Sequence, residues 1–512
     1  MNPKEKKLPE HKLKRIVIAG GGTAGWMAAA AIAKTMGNVV DLTLVESDAI
    51  STVGVGEATI PPLLLFNRLL GVNEADFMRA TKATFKLGIN FENWKDVGED
   101  YFHSFGTTGK DHWTSGFQHF WLKGIAAGQA KPYAEYCLEL QAALRGKFAH
   151  LPDQGLNYAY HLDSGDYARY LRKFAEKHGA KRYEGKITDV NLNQKSGEIS
   201  SLVLESGAVI GGDFFLDCTG FRAILIGKAL GTEYIDWSHY LPCDSAVAIQ
   251  TKSVGPAAPY TRAIAHEAGW QWRIPLQHRT GNGLVYCSKY LEKEAAEKLL
   301  LGNIEGDPMS KPLHIRFKTG VRKKQWVKNC IALGLSSGFM EPLESTSIHL
   351  IQRSIIRFMR MLPVAEVSQS DIDEFNQQTA TDMDQIRDFL ILHYNVTERS
   401  DSEFWNFCRT MDVPDSLKHK IELFKETGRV FRKDGELFAE NSWVQVMLGQ
   451  GLVPDSYHPI VNKMSDEEYG RFMESIRTNI IKTVNNLPAH NDYVRQFCGA
   501  KNVSAHNPYS SA

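Results

Sequence analysis

The sequence predicts an α/β protein: one dinucleotide-binding module followed by a mostly helical C-terminal part. Three observations predict it. The stretch Arg15-Ile-Val-Ile-Ala-Gly20-Gly-Gly22-Thr-Ala-Gly25-Trp26 reads as strand, tight turn and helix, with Gly20, Gly22 and Gly25 in G-x-G-x-x-G register. A second β-rich run, Asp41-Leu-Thr-Leu-Val45, ends in Glu46, 26 residues after Gly20. From Ser370 onward the apolar residues recur with the helical period of about 3.6, and no strand pattern is visible. Residues 1–365 are therefore read as the α/β module, and 366–512 as helices that pack on it and complete the substrate site.

The glycines let the turn close. They also let the backbone N–H groups of Gly22, Thr23 and Ala24 approach a pyrophosphate at the start of the helix, where the helix dipole favours an anion. Glu46 is placed to bond a ribose hydroxyl and would repel a 2′-phosphate, so the site suits FAD or NAD rather than NADP. Next comes Gly54-Val-Gly56-Glu57-Ala58-Thr-Ile-Pro61-Pro62, a glycine- and proline-rich loop expected beside the cofactor. Residues Glu74 to Lys86 read as a helix and Leu87 to Trp94 as a strand. Between Tyr101 and Trp121 aromatic residues and histidines crowd together, interleaved with Gly and Ser, and read as loop.

A helix around Asp166 to His178 precedes a series of strands. One of them, Phe214 to Leu216, runs into Asp217-Cys-Thr-Gly220, which again brings backbone close to a ligand. Strands through Ala246–Gln250, Trp270–Pro275 and Gly283–Ser288 form a sheet on which a substrate could lie. Cys330-Ile-Ala-Leu-Gly334 is another buried strand meeting glycine. It leads into Glu344-Ser345-Thr346-Ser347 and a helix to about Met361. In the C-terminal part, Ser465-Asp-Glu-Glu468 is a capping box.

Composition narrows the function. Lys plus Arg and Asp plus Glu balance at 59 each in 512 residues, which gives no electrostatic footprint for nucleic acid or a membrane surface. The seven cysteines are scattered without a C-x-x-C pair, which argues against a disulfide framework, a zinc site or a dithiol centre and fits a reducing cytoplasm. No metal cluster is expected. No run of 18 apolar residues suggests a membrane span, and the Lys-rich N-terminus reads as a frayed tail. Only one fingerprint is present, so there is no separate NAD(P)H module. Electrons must come from transient nicotinamide binding, from substrate or from a separate reductase.

Three further features identify a family. Gly269-Trp270-Gln-Trp272-Arg-Ile274-Pro275 is a W-x-W-x-I-P stretch; Lys86 lies 66 residues after Gly20 in Phe85-Lys86-Leu-Gly; and Pro342-Leu-Glu344-Ser345-Thr346 follows a glycine-ended strand. Together with Val55-Gly-Glu-Ala-Thr-Ile-Pro61, they make the chain resemble the flavin-dependent tryptophan halogenases from Ile16 through Gly451. The resemblance implies that FADH2 reacts with O2 to give a hydroperoxide, that halide (chloride or bromide) attacks it, and that the resulting hypohalous acid travels by a tunnel to an electron-rich ring. It implies FAD contacts at Gly20, Gly22, Thr23, Ala24, Gly25, Glu46, Gly56, Glu57, Ala58, Asp217, Gly220 and Gly334. It implies Lys86 and Glu344 as catalytic residues, halide held by backbone N–H groups of Thr346 and Ser347, and a tunnel wall of Trp270, Trp272, Ile274, Pro275 and Ser345.

His103 and Phe105 fit the family's aromatic clamp for an indole. Where members acting on free tryptophan carry a tyrosine pair for the amino-acid end, this chain has Trp443 and Val444. The ring clamp is kept and the amino-acid clamp is not. The expected substrate is thus indole or an indole-containing compound, with FADH2 from a separate flavin reductase and a monomer or homodimer as the working unit. Free L-tryptophan as substrate, a flavin-dependent aromatic hydroxylase and a non-catalytic flavin-binding protein are the rival readings.

Overall fold

The computed structural model describes residues 13–50, 57–151, 155–363 and 366–499. The Lys-rich N-terminus, Gly54 to Gly56 and the expected boundary at residue 365 lie outside the described residues.

The strand Arg15–Ala19 sits inside a six-stranded sheet, paired in parallel with Phe214–Asp217 on one side and Asp41–Glu46 on the other. Parallel strands are covered on both faces and so read as continuous apolar runs; Ile16 to Ala19 are all buried. Lys181–Glu184 and the hairpin Trp326–Val327/Cys330–Ala332 complete the sheet. The helix Thr23–Met36 packs between the helices Ser164–Lys177 and Ser347–Arg360, and its run Ala28 to Ala31 is fully buried. Two glycines make this geometry possible. Gly20 has φ +108°, and a Cβ there would lie 2.3 Å from the Cys218 carbonyl oxygen. A Cβ on Gly25 would lie 1.9 Å from the Gly20 carbonyl oxygen.

The second layer is a seven-stranded sheet in the order Leu313–Arg316, Ser245–Lys252, Arg279–Tyr286, Gly269–Pro275, Thr261–His266, Gly88–Glu92 and Asp100–Ser104. Trp270 and Trp272, two residues apart, share one face. Their core also takes in Phe389 to Leu392 of the long helix Gln369–Asn395 and Trp443 of the helix Glu440–Gly449. The C-terminal helices therefore share their core with this sheet. The capping box at Ser465 and Glu468 forms as read.

Two expectations are corrected. The helix from Glu74 ends at Thr81, where Lys82 takes a left-handed conformation (φ +54°) whose N–H bonds the Met78 carbonyl. The β-branched and aromatic residues after it form the strand Thr84–Lys86, paired with Ala159–His161 in a small sheet. Lys86 therefore lies on a buried strand instead of at a helix end. The stretch Tyr101 to Trp121 is also more regular than loop: Asp100–Ser104 is a strand, and Phe117–Ala126 is a helix whose aromatic residues pack into a core of their own.

Candidate active site

The glycine turn lines a cleft of about 420 Å³. Gly20, Gly22, Thr23, Ala24, Glu46, Glu57, Ala58, Gly220 and Gly334 contribute to its wall, and Trp270, Trp272 and Ile274 face it from the seven-stranded sheet. A Cβ on Gly22 would meet nothing within 4 Å. The helix that starts there has no side-chain cap, so its first N–H groups are open to an anion. The Trp272 N–H has no partner among the described residues. A cleft that combines a bare backbone cradle with a tryptophan wall and the unspent Trp272 donor fits FAD.

Several expected cofactor residues act at one remove. Gly25 packs the helix against the turn and does not line the cleft. The Asp217 carboxylate is consumed within the protein: it accepts from Thr219 N–H and O–H (2.9 and 2.7 Å) and from the Leu225 and Ile226 N–H groups (2.9 and 2.8 Å). Asp217 therefore shapes the loop that presents Gly220. Glu46 already accepts from Arg182 Nε at 2.6 Å and from Trp26 Nε1 at 3.2 Å, which fixes its carboxylate at the cleft edge. Glu57 lies on the strand Glu57–Ala58, and burial pushes its carboxyl up to about 7. Pro275 is outside the cleft wall, and its carbonyl accepts from the Thr84 hydroxyl at 2.7 Å.

Beyond the cleft, Lys86 is completely buried. Its Nζ donates to the Thr59 carbonyl at 3.1 Å and to Ser345 Oγ at 2.8 Å, and lies 5.1 Å from the centre of the Phe105 ring. Ser345 itself lines the cleft, so one hydroxyl links the cleft to the lysine. Burial pushes the Lys86 ammonium down to about 7, against the opposing pull of the Glu344 charge. Thr59 belongs to the Val55–Pro61 motif, so this hydrogen bond ties the motif to Lys86.

Glu344 ends the short 3-10 turn Pro342–Glu344 and caps no helix. Its oxygens lie 2.9 and 3.0 Å from His103 Nδ1, and Oε1 is 2.8 Å from His393 Nε2. His393 is oriented by the Tyr101 hydroxyl, 2.7 Å from its Nδ1, and by stacking against Phe91. Burial opposes ionisation of Glu344, but the charge and hydrogen bonds of His103 and His393 overcome it and hold the carboxyl down at about 2. After Glu344 comes Ser345, a non-glycine residue at φ +59°, and then the start of the helix Ser347–Arg360, which carries no side-chain cap. Thr346 and Ser347 at that start line the cleft.

Reading the sequence alone missed His393, Tyr101 and Thr59. His393 lies in an apolar helical run and Tyr101 in an aromatic cluster, and neither carries a local signal. Trp443 is corrected in detail. It is buried, its N–H donates to Glu436 Oε1 at 3.1 Å, and the Lys420 ammonium lies 3.9 Å over its ring. The donor expected to serve a substrate is already spent. Beside His103 the neighbours are instead Phe389 and Phe438, whose rings stack 3.8 Å apart.

Comparison with known proteins agrees over nearly the full length. Residues 15–466 match the family model described as tryptophan halogenase. A flavin-dependent halogenase from Xanthomonas campestris superposes with a TM-score of 0.94 at 56% identity, covering 95% of this chain and 98% of that one. One from Brevundimonas sp. BAL3 gives 0.91 at 43%, covering 95% and 99%. The tryptophan 7-halogenase of Lentzea aerocolonigenes is 33% identical, over 95% of this chain and 99% of its own.

Proposed function

The chain belongs to the tryptophan halogenase family and is an FAD-dependent halogenating enzyme, and from that premise we propose that it installs chlorine or bromine on an electron-rich aromatic ring, indole or an indole within a larger molecule. Its co-substrates are halide, O2 and FADH2 from a separate flavin reductase. Among the described residues no helix is long and apolar enough to cross a membrane; the proposed setting is the cytoplasm.

The observation that carries the reading is the buried Lys86 joined to the cleft by Ser345. Bound FADH2 with O2 supplies the oxidant that turns halide into hypohalous acid. The residues around it have distinct tasks. The N–H groups of Thr346 and Ser347, at an uncapped helix start, hold the halide. Trp270, Trp272 and Ile274 separate the cleft from the substrate side. An ammonium has three donors; Lys86 spends two on Thr59 and Ser345 and keeps the third for the hypohalous acid, fixing where electrophilic halogen is presented. Glu344 stays ionised and takes the ring proton once halogen has bonded. The halogenated arenium cation formed in that step is a far stronger acid than a carboxylic acid, so a carboxylate of low basicity suffices to take its ring proton. His103 and His393 fix its orientation.

The substrate reading follows from what surrounds the ring site. A zwitterionic amino acid must replace the lost hydration of its carboxylate and ammonium. Val444 has no polar side chain and the Trp443 donor is spent. His103, Phe105 and the Phe389/Phe438 stack favour a flat neutral ring instead. Competition between equimolar indole and L-tryptophan, with reductase, FAD and bromide, tests this: bromoindole forms faster, substituted at C3. Predominant benzo-ring bromination of tryptophan overturns the substrate reading, and absence of halogenated product from any indole overturns the function.

A further inference from the structure

Glu341 lies three residues before Glu344 in the same turn, and nothing in the mechanism above uses it. It is buried, and no cation pairs with it among the described residues. Its Oε2 accepts from the Trp270 indole N–H at 2.8 Å and from the Tyr394 hydroxyl at 2.5 Å, while Oε1 has no partner among the described residues. The groups that face it are otherwise the thiols of Cys243, Cys287 and Cys408, and burial pushes its carboxyl up to about 7. A buried acid without a cation costs stability, and such groups need a reason to be there.

The geometry supplies one. The consecutive residues His393 and Tyr394, at the end of the long helix, hold the two glutamates of one turn: His393 holds Glu344 and Tyr394 holds Glu341. The free end of that arrangement is Trp270, a wall residue of the cofactor cleft. The χ2 torsion of an indole is broad and roughly two-fold; Trp94 and Trp272 pack around Trp270, and the carboxylate at its N–H is the directional contact that favours one ring orientation over the flipped one.

We propose that Glu341 is a positioning residue that sets the plane of Trp270, and through it the seal between the cofactor cleft and the substrate side. This rests on the proposed role of Trp270 as that wall. With the seal intact, oxidising equivalents leave as halogenated product. With Trp270 free to turn, water reaches the oxidant and the same two electrons per FADH2 reduce O2 to hydrogen peroxide.

The test measures halogenated product and hydrogen peroxide per FADH2 consumed, together with FAD affinity by flavin fluorescence, in the full-length protein. Glu341→Leu lowers the product-to-peroxide ratio at least fivefold, while Glu341→Gln, which keeps an acceptor oxygen, holds it within twofold of the parent. Trp270→Phe, which keeps an aromatic ring but removes the N–H, reproduces the loss, and in that background Glu341→Leu adds nothing. An unchanged ratio in Glu341→Leu, or additive losses in the double variant, overturns the proposal. Should Glu341→Leu not fold, the decision passes to Trp270→Phe, and a parental ratio there overturns it equally. A parent protein that binds FAD but makes no halogenated product refutes the functional reading instead. The flavin-fluorescence arm keeps the two failures apart.

Discussion

The cofactor cleft and the proposed acid–base centre meet at Ser345, yet they are built in opposite ways. The cleft is made of backbone: a glycine turn, an uncapped helix start and loops that bring main chain close, with the polar side chains Asp217 and Glu46 turned largely toward the protein itself. The centre is made almost entirely of side chains, drawn from separate stretches: Tyr101 and His103 on one strand, Lys86 on another, Glu344 on a turn and His393 on a helix, with the Thr59 carbonyl, ahead of them all in sequence, as the one backbone contribution. A backbone site tolerates a change of side chain where there is room and fails where there is none. A side-chain site fails wherever a charge or donor is removed, because its partners are left buried and unpaired.

The sharpest break of this comparison is Lys86→Ala. It deletes the proposed donor to the oxidant and, of the cleft wall, frees only the Ser345 hydroxyl, so halogenation falls below detection, at least about 10³-fold, while FAD affinity stays within a few-fold. Product analysis by mass spectrometry and flavin fluorescence read the two halves independently. Weakened FAD binding in step with activity would mean that cleft and centre are one site.

Glu344→Gln comes next. The amide keeps the shape but accepts a proton poorly and puts an N–H₂ against one of the two histidines, so turnover falls by about 10²- to 10⁴-fold. Single-turnover rates with a saturating indole check it. Near-parental turnover would reduce Glu344 to a structural anchor for His103 and His393.

A pH profile sharpens the same division. Glu344, held at about 2, stays ionised throughout the working range and contributes no limb. Lys86 titrates near 7, so a rate that needs its ammonium falls as pH rises, approaching tenfold per unit well above that value. Stability moves the other way. The folded pKa lies below the ordinary value of 10.5, so between about 7 and 10.5 the unfolded chain binds more protons and this group's contribution to folding rises with pH. A rate that instead rises through pH 7 would assign the reaction to the neutral amine.

How much of this was legible follows the same line. The fingerprint, the second strand ending in Glu46, the W-x-W-x-I-P strand and the helical C-terminal part are local patterns, and each forms where the residues place it. Lys86 is legible only through the family resemblance, and its strand reads as helix because the helix ahead of it supplies a misleading period up to Thr81. His393 and Glu341 were illegible for a different reason. What ties each to the site is one contact across 49 to 71 positions of sequence, His393 to Glu344 and Glu341 to Trp270, and no short window along the chain contains both ends. Trp443 was legible as a substitution in the substrate region, but not the Glu436 that takes its N–H.

The smallest expected effect separates backbone from space within the cleft itself. Gly25 and Gly22 belong to one fingerprint, but a Cβ on Gly25 would sit 1.9 Å from the Gly20 carbonyl, whereas a Cβ on Gly22 meets nothing. Gly25→Ala must displace backbone and costs about 1–3 kcal/mol of stability, lowering the melting temperature and FAD affinity together. Gly22 has ordinary dihedrals (φ −71°, ψ −173°) that alanine adopts freely, and as a helix N-cap the change costs less than about 1 kcal/mol. Its methyl group projects into the space where the pyrophosphate must approach the N–H groups. Gly22→Ala therefore leaves the apo-protein's melting temperature nearly unchanged, weakens FAD by about tenfold, and leaves turnover at saturating FADH2 near parental. Thermal melts with and without FAD measure both parts, and the stabilisation FAD confers shrinks by about 1.4 kcal/mol for that tenfold loss. Unchanged FAD affinity in Gly22→Ala would move the pyrophosphate away from this helix start and take the fingerprint out of the binding site.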